Sequence, residues 1–352
     1  MRARSSDTAS PADAIAARPI ETLLRDGAVL ASAQADRHGI PVRGREDELA
    51  LLRVAGYRDL AFGRLFEGHG NALSLVARCG TAAQRTAATR DAASGRLFGV
   101  WNTQANDGVR MVPDGGRGWV LAGRKTFCSG AGTVTRALIT AAGAEPGSQM
   151  ILVPMDRVDV GIDRSFWQPL GMEASDSFAV AFDGVTVARD ALVGRGGDYE
   201  RQPWFGAGAA RFVAVQAGGT ARLVDELVAF VTRRGGGDAV AVTRLGECVV
   251  AARGADLWVR ACADAWAAFD AESDSARERE LQCTVDAART AVERAALDVM
   301  ERVERAVGAR GLLASEPFAA LIRDLRMYLR QPAPDLAVRR VGEDALARSA
   351  RA

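Results

Sequence analysis

The chain has 352 residues, 48% of them hydrophobic, which is enough to bury a full core and to build two or three domains. Its 45 basic and 44 acidic residues nearly cancel, so nothing in the charge balance calls for nucleic acid or an anionic membrane as a partner. The 5 cysteines (Cys79, Cys128, Cys248, Cys262 and Cys283) form no C-x-x-C pair, and only His38 and His69 join them; a transition-metal cage is not expected, and the odd thiol count points to a reducing cytosol.

The N-terminal MRARSSDTASPADAIAAR lacks a continuous apolar stretch, so it reads as neither a secretory signal nor an anchor, and its first residues are expected to be disordered. No apolar run is long enough to cross a bilayer. From Ile15 to Ala93 the apolar spacing is helical, with stops expected near Gly39 and Gly80. His69, in EGHGNAL, is read as a helix-break residue bonded to backbone rather than as a base, because no partner carboxylate accompanies it.

Between residues 96 and 200 the character changes to short alternating runs such as RALITAAG, MILVPMD and FAVAFDGVTV, separated by Gly, Pro and Asp clusters. PDGGRG and the Gly123 corner are turns, the second joining two short strands. The latter strand ends in Lys125, Thr126, Phe127, Cys128 and Ser129, then opens into Gly130, Ala131 and Gly132. An aromatic and a hydroxyl at a strand end before a permissive loop is a pattern suited to holding a ligand. Lys125 is the sole lysine, which favours a structural contact; Cys128 reads as an inward strand side chain. Glu173, Ser175, Asp176 and Ser177 read as turn and loop residues.

After Trp204 the chain returns to helix. ARFVAVQAGGTARLVDELVAFVTRR carries Ala and Gly on its apolar face, as a tightly packed helix requires. In the third helix Leu281, Val285, Ala288, Val292, Ala296, Val299, Val303 and Val307 fall on one stripe, and a fourth helix starts after Ser315 and stops at Pro332. The expected fold is therefore mostly α with a central β domain: an N-terminal helical domain (1–95), a small antiparallel β barrel (96–200) and a C-terminal four-helix bundle (201–352).

GWVLAGRKTFCSGAG resembles the G-x-x-L-x-G-x-K-x-(W/F)-x-(S/T) segment of the acyl-CoA dehydrogenase family, and FGVWNT stands where that family has its first flavin-contacting strand. FWQPLGMEASDSFAVAFDGVTV resembles the L-G-x-x-x-S-x-(S/T) segment, and RAVGARGLLASEPFAALIRDLRMY the Q-x-x-G-G-x-G stretch with its Arg-Asp pair, here Arg323 and Asp324. The order of helices, strands and helices is also the family's. The resemblance implies a non-covalent FAD, with Trp101, Thr103, Phe127 and Ser129 lining the isoalloxazine side and Arg233 near the pyrophosphate. It also implies Gly308 and Gly311 facing a neighbouring subunit's flavin, and hence a homodimer or homotetramer in the cytoplasm.

The departures from the family are equally specific. Arg305 stands where Gln is usual, Ala309 replaces a glycine, and Gly236 takes the Phe position of R-x-x-F-G. The family's glutamate base, in a Y-E-G-(T/S) loop or on the first C-terminal helix, corresponds here to Pro332 and to Arg211 and Phe212, none of which takes a proton. No catalytic residue is therefore assigned; Asp335 and Glu316 are the nearest carboxylates in sequence. Three activities stay open. They are a dehydrogenase of an acyl-CoA or carrier-bound acyl group with a relocated base, a flavin monooxygenase on the same fold, resembling dibenzothiophene monooxygenase and the nitrososynthases, and a subunit without turnover that acts by interaction.

Overall fold

A computed structural model describes residues 45–350 except 105, 117, 144 and 145. The expected helix that closes at Gly39, the disordered first residues and His38 lie outside the described residues.

Three helices open the described chain: α1 (Arg45–Arg58), α2 (Leu60–Cys79) and α3 (Ala82–Ala93). The carboxylate of Asp59 separates the first two by accepting from Phe62 N at 2.6 Å, and Thr81 with Gln84 forms a capping box at the start of α3. His69 lies inside α2 rather than at a break, although the backbone bond expected of it is present: its Nδ1 accepts from Phe98 N at 3.1 Å.

The strands follow: β1 (Phe98–Trp101), β2 (Arg110–Pro113), β3 (Trp119–Ala122), β4 (Arg124–Cys128), β5 (Arg136–Ala142), β6 (Ser148–Pro154), β7 (Gly161–Asp163), β8 (Phe178–Ala181), β9 (Thr186–Val187) and β10 (Leu192–Val193). Among the described residues they form two sheets. One has the order β10-β6-β5-β2-β3-β9 with β1 also on β5; the other is β4-β8-β7. The sheets are not wholly antiparallel as expected. β1 and β2 both run parallel to β5, because β5 is reached by a connection long enough to reverse direction twice. Phe182, Leu121, Ile139 and Trp101 fill the space between the sheets.

Helices resume with α4 (Trp204–Ala207), α5 (Ala210–Arg233), α6 (Ala239–Ala271), α7 (Ser275–Gly311), α8 (Phe318–Tyr328) and α9 (Pro334–Ser349). Every member of the stripe from Leu281 to Val307 is buried, as its spacing requires. α9 is an addition to the expected four-helix bundle. It begins right after the proline taken as a stop, because Pro334 sits in its first turn, where a missing N–H costs nothing.

The small residues of α5 let it meet α1 backbone to backbone. A Cβ on Gly218 would lie 2.0 Å from Arg53 O, and one on Gly56 would lie 2.1 Å from Val215 O. The helices before and after the sheets therefore share one core, which runs from Leu49 through Val215 to Val299.

Candidate functional site

The end of β4 is shaped by an irregularity. Pairing with β8 shifts register between Lys125 and Cys128, and Phe127 takes a left-handed φ of 54°. An aromatic residue adopts that conformation only when its surroundings hold it there. The bulge turns Phe127 outward, 46% exposed, while Cys128 on its C-terminal side is fully buried. Phe166 and Trp167 stand edge-on to the Phe127 ring at 5.1 and 6.0 Å. The result is an aromatic wall with an open side.

Ser129 lies behind that wall. Its carbonyl accepts from the indole N–H of Trp101 at 3.0 Å. Its hydroxyl is 2.9 Å from that of Ser177, which is 2.9 Å from that of Ser175, so three hydroxyls form a chain. The Trp101 ring is itself 1% exposed and packs against Phe182, so it reaches a ligand only through Ser129. Thr103 is tied to the same strand end, its carbonyl accepting from Thr126 N at 3.0 Å, with the side chain exposed.

The loop from Leu170 to Ser177 closes the site from the far side. Gly130 N donates to Ser175 O at 2.8 Å, and Met172 N donates to an Asp324 carboxylate oxygen at 2.6 Å. Gly171 allows this approach to α8, since a Cβ there would lie 2.4 Å from Arg323 O. Asp324 of the Arg-Asp pair is thus a clamp between sheet and bundle. Burial raises its carboxyl above the usual range, and the Met172 N–H opposes that rise.

Lys125 fulfils its structural reading. Fully buried, its ammonium donates to Asn102 O (3.0 Å), Gln104 Oε1 (2.8 Å) and Thr140 Oγ1 (2.9 Å), and burial lowers its pKa to about 8. The Cys128 thiol is pushed far up by burial, so it remains an inert core side chain, as its position in the strand implied.

The positions where a glutamate base would stand hold no free acceptor. Pro332 O accepts from Arg289 Nη2 at 2.6 Å. Arg211 is buried in an ion pair with Glu48 at 2.7 Å, and the Arg289 guanidinium lies 5.3 Å over the Phe212 ring. Phe212, Gln216, Arg289, Thr290, Leu329, Gln331 and Pro334 line a small cleft at this place together with Glu293, whose carboxylate is paired with Arg330. Neither substitute carboxylate reaches it: Asp335 is exposed in the first turn of α9, and Glu316 pairs with Arg233 at 3.2 Å.

Arg233, Gly308 and Gly311 are not brought to Phe127 and Ser129. Among the described residues no bond or ring contact joins the two groups. The Arg233–Glu316 pair and the two glycines gather where α5 and α7 end. Gly308 breaks α7 with φ 60° and ψ −168°, a conformation restricted to glycine, and a Cβ there would meet nothing within 4 Å. Its backbone is open to an approaching group from outside this chain.

Ser175 and Ser177, read from the sequence as loop residues, are 1% and 4% exposed and complete the hydroxyl chain. Their i, i+2 spacing around the left-handed Asp176 was the available signal, since it turns both hydroxyls to one side. Among the described residues no group of three or more His, Cys, Asp or Glu is placed to hold a metal, and no helix is long and apolar enough to cross a membrane.

No family model matches the chain. It is 33% identical over 184 residues to an amino sugar nitrososynthase of Streptomyces rubradiris, covering 49% of this chain and 43% of that protein. It is 30% identical over 232 residues to the L-evernosamine nitrososynthase of a Micromonospora species, covering 62% and 54%. The chain thus spans about half the length of these two curated relatives. A third match, to an amino sugar nitrososynthase of Streptomyces peucetius, has 28% identity and covers 87% and 80%. Among solved structures, KijD3 in complex with FMN and a dTDP-3-amino-4-keto sugar superposes with a TM-score of 0.80 at 23% identity, covering 93% of this chain and 86% of that one. Dibenzothiophene monooxygenase from Paenibacillus sp. A11-2 gives 0.75 at 20% identity, covering 94% and 90%. Glutaryl-CoA dehydrogenase from Mycobacterium smegmatis gives 0.76 at 16%, covering 94% and 87%. With helices on either side of a small mixed sheet and with these neighbours, the chain is an acyl-CoA dehydrogenase-like protein in fold.

Proposed function

We propose that this chain is a flavin-dependent monooxygenase of the nitrososynthase kind, oxidising the amine nitrogen of a small molecule such as a nucleoside-diphosphate amino sugar. The observation that carries the reading is the surroundings of Pro332. Removing an α-proton from an acyl thioester demands a carboxylate there or at the start of α5, and the donors of Arg289 and the Arg211–Glu48 pair occupy those places instead. Oxygenation of an amine needs no such base at that position. The named activities of the three curated relatives support the same direction.

A flavin fits the residues present. The open side of Phe127 suits a planar ring, and the serine chain lets Ser129 donate to a ring acceptor while accepting from Ser177. When bound and reduced, the flavin supplies activation of dioxygen and delivery of one oxygen atom. Trp101 fixes Ser129, and Phe166 and Trp167 hold Phe127 upright and keep water from that edge. The solved relatives that carry FMN favour FMN over the FAD expected from the sequence. Arg233, Gly308 and Gly311 would serve a flavin of a second copy, in a homodimer or homotetramer. The exposed face of α6, with Val250, Leu257 and Trp258, supports such an assembly.

The test is direct. Purified protein with FMN or FAD, a reductase and NADH is given the dTDP-3-amino-4-keto sugar under labelled dioxygen; one labelled oxygen on nitrogen is expected. Anaerobic bleaching of the flavin by an acyl-CoA alone would overturn the reading in favour of a dehydrogenase.

A further inference from the structure

The cleft at Pro332 takes its polar character from two glutamines whose amides are turned by the same atom. Gln216 of α5 donates Nε2 to Tyr328 O at 3.1 Å, and Gln331, in the segment after α8, donates Nε2 to that same oxygen at 2.9 Å. A carbonyl oxygen only accepts, so each amide must give it the NH₂ side, and this fixes the orientation of both. Each Oε1 is left over. Among the described residues neither takes a hydrogen bond and neither is sealed from solvent, although Gln216 as a residue is only 2% exposed.

The donors around the cleft are already engaged. Arg289 gives Nη2 to Pro332 O at 2.6 Å and turns Nη1 to the buried Asp286 at 3.9 Å. Thr290 gives its hydroxyl to Asp286 O at 3.4 Å, and Glu293 is held by Arg330. Pro334 has no N–H, and Phe212 and Leu329 are apolar. The open polar groups of the cleft are thus two acceptors. A ligand that covers them without donating leaves both unpaired, which is the condition under which a site discriminates against an analogue lacking the donor.

The cleft is also well placed. Tyr328 stands one turn along α8 from Asp324, about 6 Å at 1.5 Å per residue. Asp324 holds Met172 N of the loop that backs Ser129.

Resting on the amine oxidation proposed above, we propose that Gln216 and Gln331 recognise the amino group of the substrate, each Oε1 accepting one of its N–H bonds as the group enters the cleft. An amide oxygen is no base, so the contact orients the nitrogen and takes no proton from it. In a 3-amino-2,3,6-trideoxy-4-keto sugar, such as KijD3 holds as its dTDP derivative, the amine is the sole N–H or O–H donor on the ring, and two acceptors without a free donor match it. The small size of the cleft suits one such group rather than a whole ring. An acyl chain in the same place would cover both oxygens and pair neither.

Calorimetric titration of the full chain as purified, with no reductant present, tests the assignment. The ligands are the dTDP-3-amino sugar and its 3-deoxy counterpart, in which hydrogen replaces the amine. Wild type should bind the amino sugar about 10-fold or more tightly than the 3-deoxy sugar. Gln331→Met and Gln216→Met should each cut that ratio about 5-fold, and the double variant should abolish it. Because the ratio is taken within one protein, a loss of stability moves both affinities together and leaves it unchanged. Equal affinity of wild type for the two sugars, or a ratio retained by the double variant, would overturn the proposal. So would a ratio that Glu293→Gln removes and Gln331→Met keeps, since the carboxylate would then be the recognising group. A wild type that prefers the amine through the two glutamines yet oxygenates nothing would support this assignment and defeat the monooxygenase reading instead.

Discussion

The indole N–H of Trp101 donates to the carbonyl of Ser129 at 3.0 Å, and the bond joins the end of β1 in one sheet to the residue after β4 in the other. Both partners are buried, so the carbonyl has no water to fall back on. Trp101→Phe keeps most of the ring volume and removes the donor. We expect a loss of about 1–3 kcal/mol in unfolding free energy and weaker flavin binding, because Ser129 is no longer fixed. Urea denaturation and flavin titration check the two parts; a variant with unchanged flavin affinity would separate Trp101 from the site.

Lys125 links stability to alkaline pH. Its folded pKa of about 8 lies below the ordinary 10.5, so between those values the unfolded chain binds more protons than the folded one. Stability therefore rises as pH climbs through that window, by up to about 3 kcal/mol, as the cost of a buried charge is relieved. In Lys125→Met that rise should vanish. At pH 7 the variant should be less stable by about 1–3 kcal/mol, since the Asn102 carbonyl and Gln104 lose their donor. Melting curves from pH 7 to 10 decide it.

The role of Lys125 was legible before any coordinates, because a single lysine inside a strand pattern argues for a specific contact. The stripe from Leu281 to Val307 was legible for a similar reason, since helical period and burial are the same statement. Strand direction was not. Nothing in β1 or β2 distinguishes a parallel neighbour from an antiparallel one, because direction is set by where connections lead. The site divided along the same line. Phe127 and Ser129 sit in a local motif, and their contact is short-range. Ser175 and Ser177 reach Ser129 from a loop distant in sequence, and each alone reads as an ordinary loop residue.

His69 links stability to acid. Burial lowers its pKa to about 4 from 6.5, and the Phe98 N–H occupies Nδ1 only while that nitrogen is unprotonated. The folded state binds fewer protons than the unfolded one between these values, so the stabilisation is full above pH 6.5 and is lost as pH falls towards 4. The loss should reach about 3 kcal/mol. His69→Asn retains an acceptor near the Nδ1 position and does not titrate. It should be somewhat less stable than wild type at pH 7, having lost the edge contact with Phe98, and should lose less on acidification. Urea midpoints at pH 7 and pH 4.5 for both proteins test the crossing of the two trends.

Pro332 decides between a missing base and a different chemistry. Its carbonyl is held by Arg289 Nη2 at 2.6 Å, so a side chain grown from this position emerges beside a guanidinium. In Pro332→Glu the new carboxylate should pair with Arg289 rather than stand free, and a salt-bridged carboxylate is a weaker proton acceptor than a free one. A well-placed general base is worth about 10²- to 10⁴-fold in rate, so even a poor one would be visible against a zero background. We expect neither wild type nor Pro332→Glu to bleach its flavin with short, medium or branched acyl-CoAs under anaerobic conditions. Pro332→Glu combined with Arg289→Gln, which frees the carboxylate, is the stricter case. Should that double variant bleach while the single one does not, the thioester site survives beneath the arginine and only its base has been replaced. Should none of the three proteins bleach, the cleft at Gln216 and Gln331 is shaped for a substrate other than an acyl thioester, as amine oxidation requires.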